Sequence, residues 1–122
     1  RIVEDWAKLP DGWSFKEVSR RHGDFALAGA AVTLTLDGGA WSDARIALFG
    51  VGSTPLRARQ AEQVLKGERP SDSLFEQAAQ KASQEIGEPL SDIHASSEFR
   101  RHIAMTLTRQ ALAEAASRAQ GL

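Results

Sequence analysis

Between residues 25 and 49 the chain reads FALAGAAVTLTLDGGAWSDARIALF, and this stretch constrains the fold more than any other. Phe25 to Leu36 is rich in small and β-branched residues. Its second half alternates, with Val32, Leu34 and Leu36 on one side and Thr33 and Thr35 on the other. Alternation with a period of two is the pattern of a strand with one buried face. Asp37-Gly38-Gly39 follows as a hairpin signal, because glycine tolerates the positive φ angles of tight turns. Trp41 to Phe49 then supplies the returning strand. Upstream, Asp11-Gly12 reads as a turn, and Trp13, Phe15 and Val18 suggest a first strand. Phe15 and Lys16 are adjacent on that strand, so one enters the core and the other faces outward. Three consecutive strands with a short turn imply an antiparallel sheet.

From Ser53 onward the pattern becomes helical. Thr54-Pro55 reads as an N-cap followed by the first helical residue, a position where proline has no amide to leave unbonded. This helix is expected to end near Lys66, with Gly67 as its stop. Ser73 and Glu76 have the spacing of a capping box for a second helix, which Gly87 and Pro89 terminate. A third helix begins near Ser96 or Ser97, and Phe99, Ile103, Leu107 and Ala111 step by four along one face as its core residues. Strands first and helices after predict an α+β domain: a three-stranded antiparallel sheet with three helices packed on one face. There is no internal repeat and no low-complexity segment.

Length and charge bound the function. A chain of 122 residues suits one domain and buries roughly two thirds of the surface its unfolded form exposes. A net charge of −1 gives no bulk field for nucleic acid or an anionic membrane. The absence of cysteine excludes disulfides, thiolate metal sites and a cysteine-bound iron–sulfur cluster on this chain, and fits a reducing, cytoplasmic compartment. The longest apolar stretch is shorter than the roughly 20 residues that span a bilayer. No basic, apolar and cleavable segment opens the chain, so no signal peptide is expected. The start at Arg1 rather than Met suggests a piece cut from something longer. Residues 1–11 read as a connector from a missing N-terminal region, and residues 12–122 as the domain proper.

The densest cluster of unlike charges, Lys16, Arg20, Arg21, His22 and Asp24 around Gly23, sits at the mouth of the most hydrophobic strand. One reading is a solvated strand end with surface ion pairs worth under about 1 kcal/mol. The other is a site. His22 reads as an exposed loop residue. Asp92 with His94, and Glu98 with His102, lack a recognised metal spacing. Ser19, Ser53 and Ser96 have no paired base at a recognisable spacing for a hydrolase triad. Arg57, Arg59, Arg100 and Arg101 either decorate helix starts or bind a partner. Gly50, Gly52 and Ser53 form either a strand-to-helix turn or a weak anion nest. Trp6, Trp13 and Trp41 are core or rim residues, and Trp6 in the connector would pack on a missing domain.

Three segments, FKEVSRRHGDFALAGAAVTL, RIALFGVGSTPLRARQAEQVLKG and SEFRRHIAMTLTRQAL, occur in an order that resembles the C-terminal domain of the FAD-binding, medium subunit of molybdenum hydroxylases, the carbon monoxide dehydrogenase and xanthine dehydrogenase group. The resemblance runs from about Phe15 to Ala116. It rests on the combination of the Arg-Arg-x-Gly-Asp-Phe-Ala segment, the Pro-Leu-Arg-Ala helix start and the Phe-Arg-Arg of the last helix. It implies an α+β domain of the architecture derived above. It also implies a complex in which a large subunit carries a molybdenum–pterin centre and a small subunit carries two [2Fe-2S] clusters. Electrons pass from these to FAD in the medium subunit and on to an external acceptor. FAD is held mostly by N-terminal FAD-binding domains, and this sequence shows no glycine-rich phosphate loop of its own. The C-terminal domain closes over the flavin end of the cofactor, packs on partner subunits and is not an enzyme by itself. The resemblance places Lys16, on the outward face of the first strand, toward the pyrimidine edge of the flavin and Arg20, Arg21 and Asp24 in a charged loop beside the ring. His22-Gly23 stands where xanthine-dehydrogenase-like members carry acidic residues and follows the bacterial three-subunit pattern. The rival expectation is a stand-alone interaction or dimerisation domain of this fold without a redox role, since sites rather than folds carry function.

Overall fold

The computed structural model describes residues 12–19, 26–50, 55–86 and 97–120. Three long strands, β1 (Gly12–Ser19), β2 (Ala26–Asp37) and β3 (Ala40–Phe49), pair antiparallel in sequence order. A two-residue strand, β4 (Leu56–Arg57), extends the sheet beyond β3. Three helices follow, α1 (Arg59–Leu65), α2 (Asp72–Glu85) and α3 (Ser97–Ala119). The α+β reading holds, with β4 as a short addition to the three expected strands. The connector assigned to residues 1–11 lies outside the described residues.

The hairpin forms where the two glycines allow it. Gly38 and Gly39 have φ of 65° and 85°, the paired positive angles of the tight turn that suits twisted antiparallel strands. A bulge between Thr35 and Leu36 shifts the register, so that Leu36 pairs with Trp41.

One face of the sheet is covered by helices. Val32, Leu34, Ala44, Ile46 and Leu48 are buried there, and Trp41 packs tilted against Phe75 of α2 with ring centroids 6.4 Å apart. α3 lies across β1 and β2, α1 lies on β3, and α2 bridges α1 and α3. Small residues meet where α3 approaches: Ala28 and Ala30 on the sheet, Ala104, Ala111 and Ala115 on the helix, all buried. The approach is tight at Gly12, where a Cβ would lie 2.5 Å from the Leu34 carbonyl oxygen and 2.7 Å from the Ala119 Cβ.

Several local expectations change. Pro55 does not open a helix; Leu56 and Arg57 pair with β3 first, and α1 starts at Arg59. Its first-turn amides have no side-chain cap from Ala58 and are taken instead by Glu85 of α2, whose carboxylate accepts from Gln60 N at 3.1 Å and Ala61 N at 2.9 Å. An acidic group there also complements the positive end of the helix. The cap of α2 is Ser71, which accepts from Leu74 N at 3.1 Å, rather than Ser73. α1 ends at Leu65 with Gly67 just beyond, as expected. On α3, Ile103, Leu107 and Ala111 are buried, but Phe99 is 49% exposed. Arg100 takes the buried position beside it and donates to the Gly50 carbonyl at 2.8 Å.

Candidate functional site

β1 is the outermost strand of the described sheet, and its side chains divide cleanly. Gly12, Ser14 and Lys16 face α3; Trp13 and Phe15 face the opposite side, which no helix among the described residues covers. Phe15 therefore does not enter the core. It is 46% exposed and stacks on Phe49 with centroids 5.1 Å apart. The Phe49 ring in turn lies over Gly29, where a Cβ would come within 2.2 Å of it.

Lys16, expected on the outward face of the strand, instead shares the α3 side with buried Ser14 and meets Glu114. Its Nζ donates to Glu114 Oε2 at 2.8 Å. Ser14, wholly buried two residues earlier on the same face, donates its hydroxyl to Glu114 Oε1 at 2.8 Å. Arg118, one helical turn beyond Glu114, approaches Oε1 with Nη2 at 3.3 Å. Arg118 is itself anchored to β1: Nη1 donates to the Trp13 carbonyl at 2.8 Å, and the guanidinium carbon sits 4.2 Å from the Trp13 ring centroid. The hydrogen bonds from Lys16 and then Ser14 hold the Glu114 carboxyl below its usual range, desolvation opposes them, and the charges of Lys16 and Arg118 add to the lowering. About a third of each side chain of the Lys16–Glu114 pair remains exposed, so the pair is a half-solvated one. An ammonium has three donors, and Glu114 engages one of them.

A second ionic cluster is more deeply buried. Glu62 of α1 is 4% exposed and accepts from the Ile46 amide at 2.9 Å. Arg57 Nε donates to its two oxygens at 2.9 and 3.2 Å. This hydrogen bond, more than the surrounding charges, holds Arg57 above its ordinary pKa. The cluster ties β4, β3 and α1 together and is structural.

Of the four site residues expected from sequence, Lys16 is described, whereas Arg20, Arg21 and Asp24 lie outside the described residues, as do His22, Gly52, Ser53, Asp92 and His94. Glu98 and His102 are exposed on α3, and no group of three or more metal-ligating side chains occurs among the described residues. Arg57, Arg100 and Arg101 make bonds inside the chain, the last to the Ser83 carbonyl at 2.6 Å. Sequence reasoning missed Ser14, Glu114 and Arg118. The i,i+4 spacing of Glu114 and Arg118 was readable as a helix-surface pair. Their meeting with Lys16, 98 positions from Glu114, carried no local signal.

Known proteins resemble this chain in sequence and fold. Residues 13–115 match the family described as CO dehydrogenase flavoprotein C-terminal domain. The chain is 40% identical over 110 residues to the 6-hydroxypseudooxynicotine dehydrogenase complex subunit alpha of Paenarthrobacter nicotinovorans, covering 89% of this chain and 37% of that one. It is 34% identical over 108 residues to the xanthine dehydrogenase FAD-binding subunit of Escherichia coli O157:H7, covering 88% of this chain and 36% of the relative. The fold superposes with a TM-score of 0.82 and 36% identity on carbon monoxide dehydrogenase from Hydrogenophaga pseudoflava, in a form lacking the Mo-pyranopterin moiety of its cofactor, over 88% of this chain and 37% of that one. The chain thus spans less than two fifths of the length of these relatives. With the family match running from β1 to within the last turns of α3, and the fold agreeing, the chain belongs to the CO dehydrogenase flavoprotein C-terminal domain family.

Proposed function

We propose that this domain is the C-terminal part of the FAD subunit of a cytoplasmic molybdenum hydroxylase, closing over the flavin and packing on partner subunits. In this reading residues 1–11 connect it to N-terminal FAD-binding domains, and residues 12–122 form the closing domain. The complex would hold molybdenum–pterin on a large subunit and [2Fe-2S] clusters on a small one, and the domain would serve electron transfer from those clusters to FAD. Family membership supports this, as do the relatives described as an FAD-binding subunit and as part of a dehydrogenase complex.

The donor set fits a limited share of the cofactor. In this reading the nucleotide half of the cofactor is held by the N-terminal domains. What the domain offers is a cation: Lys16, partly exposed, with ammonium hydrogens beyond the one Glu114 engages. The bound flavin supplies two-electron chemistry whose reduced form carries negative charge at the pyrimidine edge. Lys16 stabilises that charge and interacts little with a neutral ring. Arg20, Arg21 and Asp24 are proposed to contribute further charge to the same site.

The observation that carries this reading is the Lys16 ammonium bonded to Glu114 at 2.8 Å on the outermost described strand of a family-matched domain. A charge-assisted hydrogen bond is worth about 1.5–3 kcal/mol. With about 1.4 kcal/mol equal to 30 mV for a two-electron couple, Lys16→Ala should lower the flavin midpoint potential by roughly 30–60 mV. Lys16→Arg should restore part of the shift. Redox titration of the FAD-loaded subunit is the test, and an unchanged potential with normal flavin content would return Lys16 to a surface ion pair.

A further inference from the structure

We infer that Glu114 is a positioning residue for Lys16, fixing where the ammonium sits and setting how much of its charge reaches a bound flavin. The inference rests on the reading that Lys16 faces the flavin. A lysine on a strand edge is a point charge on a flexible four-carbon stem, free to spread over many positions. Here it is not free. Glu114 holds it at 2.8 Å, and Glu114 is held in turn. One oxygen receives the Ser14 hydroxyl at 2.8 Å and lies 3.3 Å from Arg118, while the other receives Lys16. Arg118 is pinned to the Trp13 carbonyl and ring, so the frame closes on β1, the strand that carries Lys16.

The composition of the frame separates positioning from ordinary surface pairing. A solvated ion pair needs no buried partner, yet Ser14 is wholly buried and donates to this carboxylate. The carboxyl stays ionised below its usual range because Lys16 and Ser14 donate to it. Two cations thus share one anion. Glu114 draws the Lys16 charge toward itself and weakens its pull on an anionic ring. Glutamine in its place keeps an acceptor for Lys16 or Ser14 but removes the negative charge, so the ammonium is less neutralised.

The test is a double-mutant cycle in the FAD-loaded subunit, read by redox titration of the flavin and by a thermal melt. Lys16→Ala should lower the potential. Glu114→Gln should raise it, changing the reduced-to-oxidised ratio at fixed potential up to about tenfold, which is about 30 mV for a two-electron couple. In the Lys16→Ala background the Glu114→Gln shift should shrink by at least half. If Lys16→Ala lowers the potential but Glu114→Gln leaves it in place or lowers it, the inference about Glu114 is wrong and the Lys16 reading stands. If neither variant moves the potential, both are wrong. A full-sized Glu114→Gln shift without Lys16 overturns the inference too, because Glu114 would then act on the flavin directly. Should Glu114→Gln not give a folded subunit, Glu114→Asp serves instead. It keeps the charge but withdraws it from Lys16, and its expected effect is a smaller rise, with no rise counting against the inference.

Discussion

Replacing Glu62 by glutamine is the sharpest test of how β4 and α1 are fastened to the sheet. The carboxylate is 4% exposed and serves two donors, the Ile46 amide at 2.9 Å and Arg57 Nε at 2.9 and 3.2 Å. Glutamine has nearly the same shape but only one acceptor oxygen. The Ile46 amide and the shorter Arg57 contact share one oxygen, Oε2, so a glutamine oxygen placed there keeps both bonds. What is lost is the negative charge opposite Arg57, and the amide nitrogen that replaces Oε1 turns a donor toward Arg57 Nε at the 3.2 Å contact. A bond to a charged group is worth about 1.5–3 kcal/mol and a neutral one about 0.5–1.5 kcal/mol, so the exchange, with the donor-against-donor contact added, costs roughly 1–3 kcal/mol. For a domain of this size, about 4 °C of Tm accompanies each kcal/mol, so Tm should fall by roughly 4–12 °C. Urea melts at constant m-value, with a thermal scan beside them, measure it. A loss below about 0.5 kcal/mol would refute the reasoning, because it would mean that water reaches the carboxylate and replaces its partners.

Three further outcomes are expected. Gly12→Ala should destabilise by about 1–3 kcal/mol, since the new methyl meets the backbone oxygens of Leu34 and Ala115, which cannot rotate away; a urea midpoint within error of the parent would place α3 farther from β1. Leu107→Ala should lose roughly 2–5 kcal/mol in the same melts, as expected for a buried leucine, and a small loss would show that face of α3 to be solvated. Glu114, whose folded pKa is lowered, contributes stability that is present above the ordinary carboxylate pKa and is lost as pH falls through its lower folded value. Glu114→Gln should therefore flatten that part of the acid limb in a pH series of melts.

Much of the fold was legible because its signals are local. The alternation of Val32, Leu34 and Leu36, the paired glycines 38 and 39, and the stop at Gly67 each act within a few residues. The misses share a different cause, which is competition between faces. Phe99 looked like a core residue because it precedes Ile103 by four. A step of four, however, advances about 40° further than a full turn each time, so a strict series drifts off the stripe. Arg100 stands nearer the stripe's centre and is buried in its place. Ser71 outcompetes Ser73 as the cap because starting α2 two residues earlier still brings Leu74 and Phe75 inside. Phe15 is large and apolar, yet the side of β1 beneath α3 has room only for Gly12, Ser14 and the stem of Lys16. The small residues at alternate positions of β1 were the readable sign of which face the helix covers. Glu114 was not readable as a site residue, because nothing in a helix-surface glutamate indicates a strand about a hundred residues away.

The charges along β1 invite a simpler account, and it explains only part of them. An outermost strand offers unpaired backbone groups to other chains, and proteins blunt such edges with charged side chains. Arg118 does this directly, since its guanidinium occupies the Trp13 carbonyl and covers the Trp13 ring. Lys16 would add to the same protection in any position, because repulsion between charged edges does not depend on where a flexible ammonium points. Edge protection thus needs neither a buried serine nor a carboxylate shared between two cations. A counter-anion even weakens it, since it offsets the charge that keeps a second edge away. Ser14 and Glu114 make sense if the ammonium must sit in one place with a moderated charge, which is what the role proposed for Lys16 beside a flavin requires.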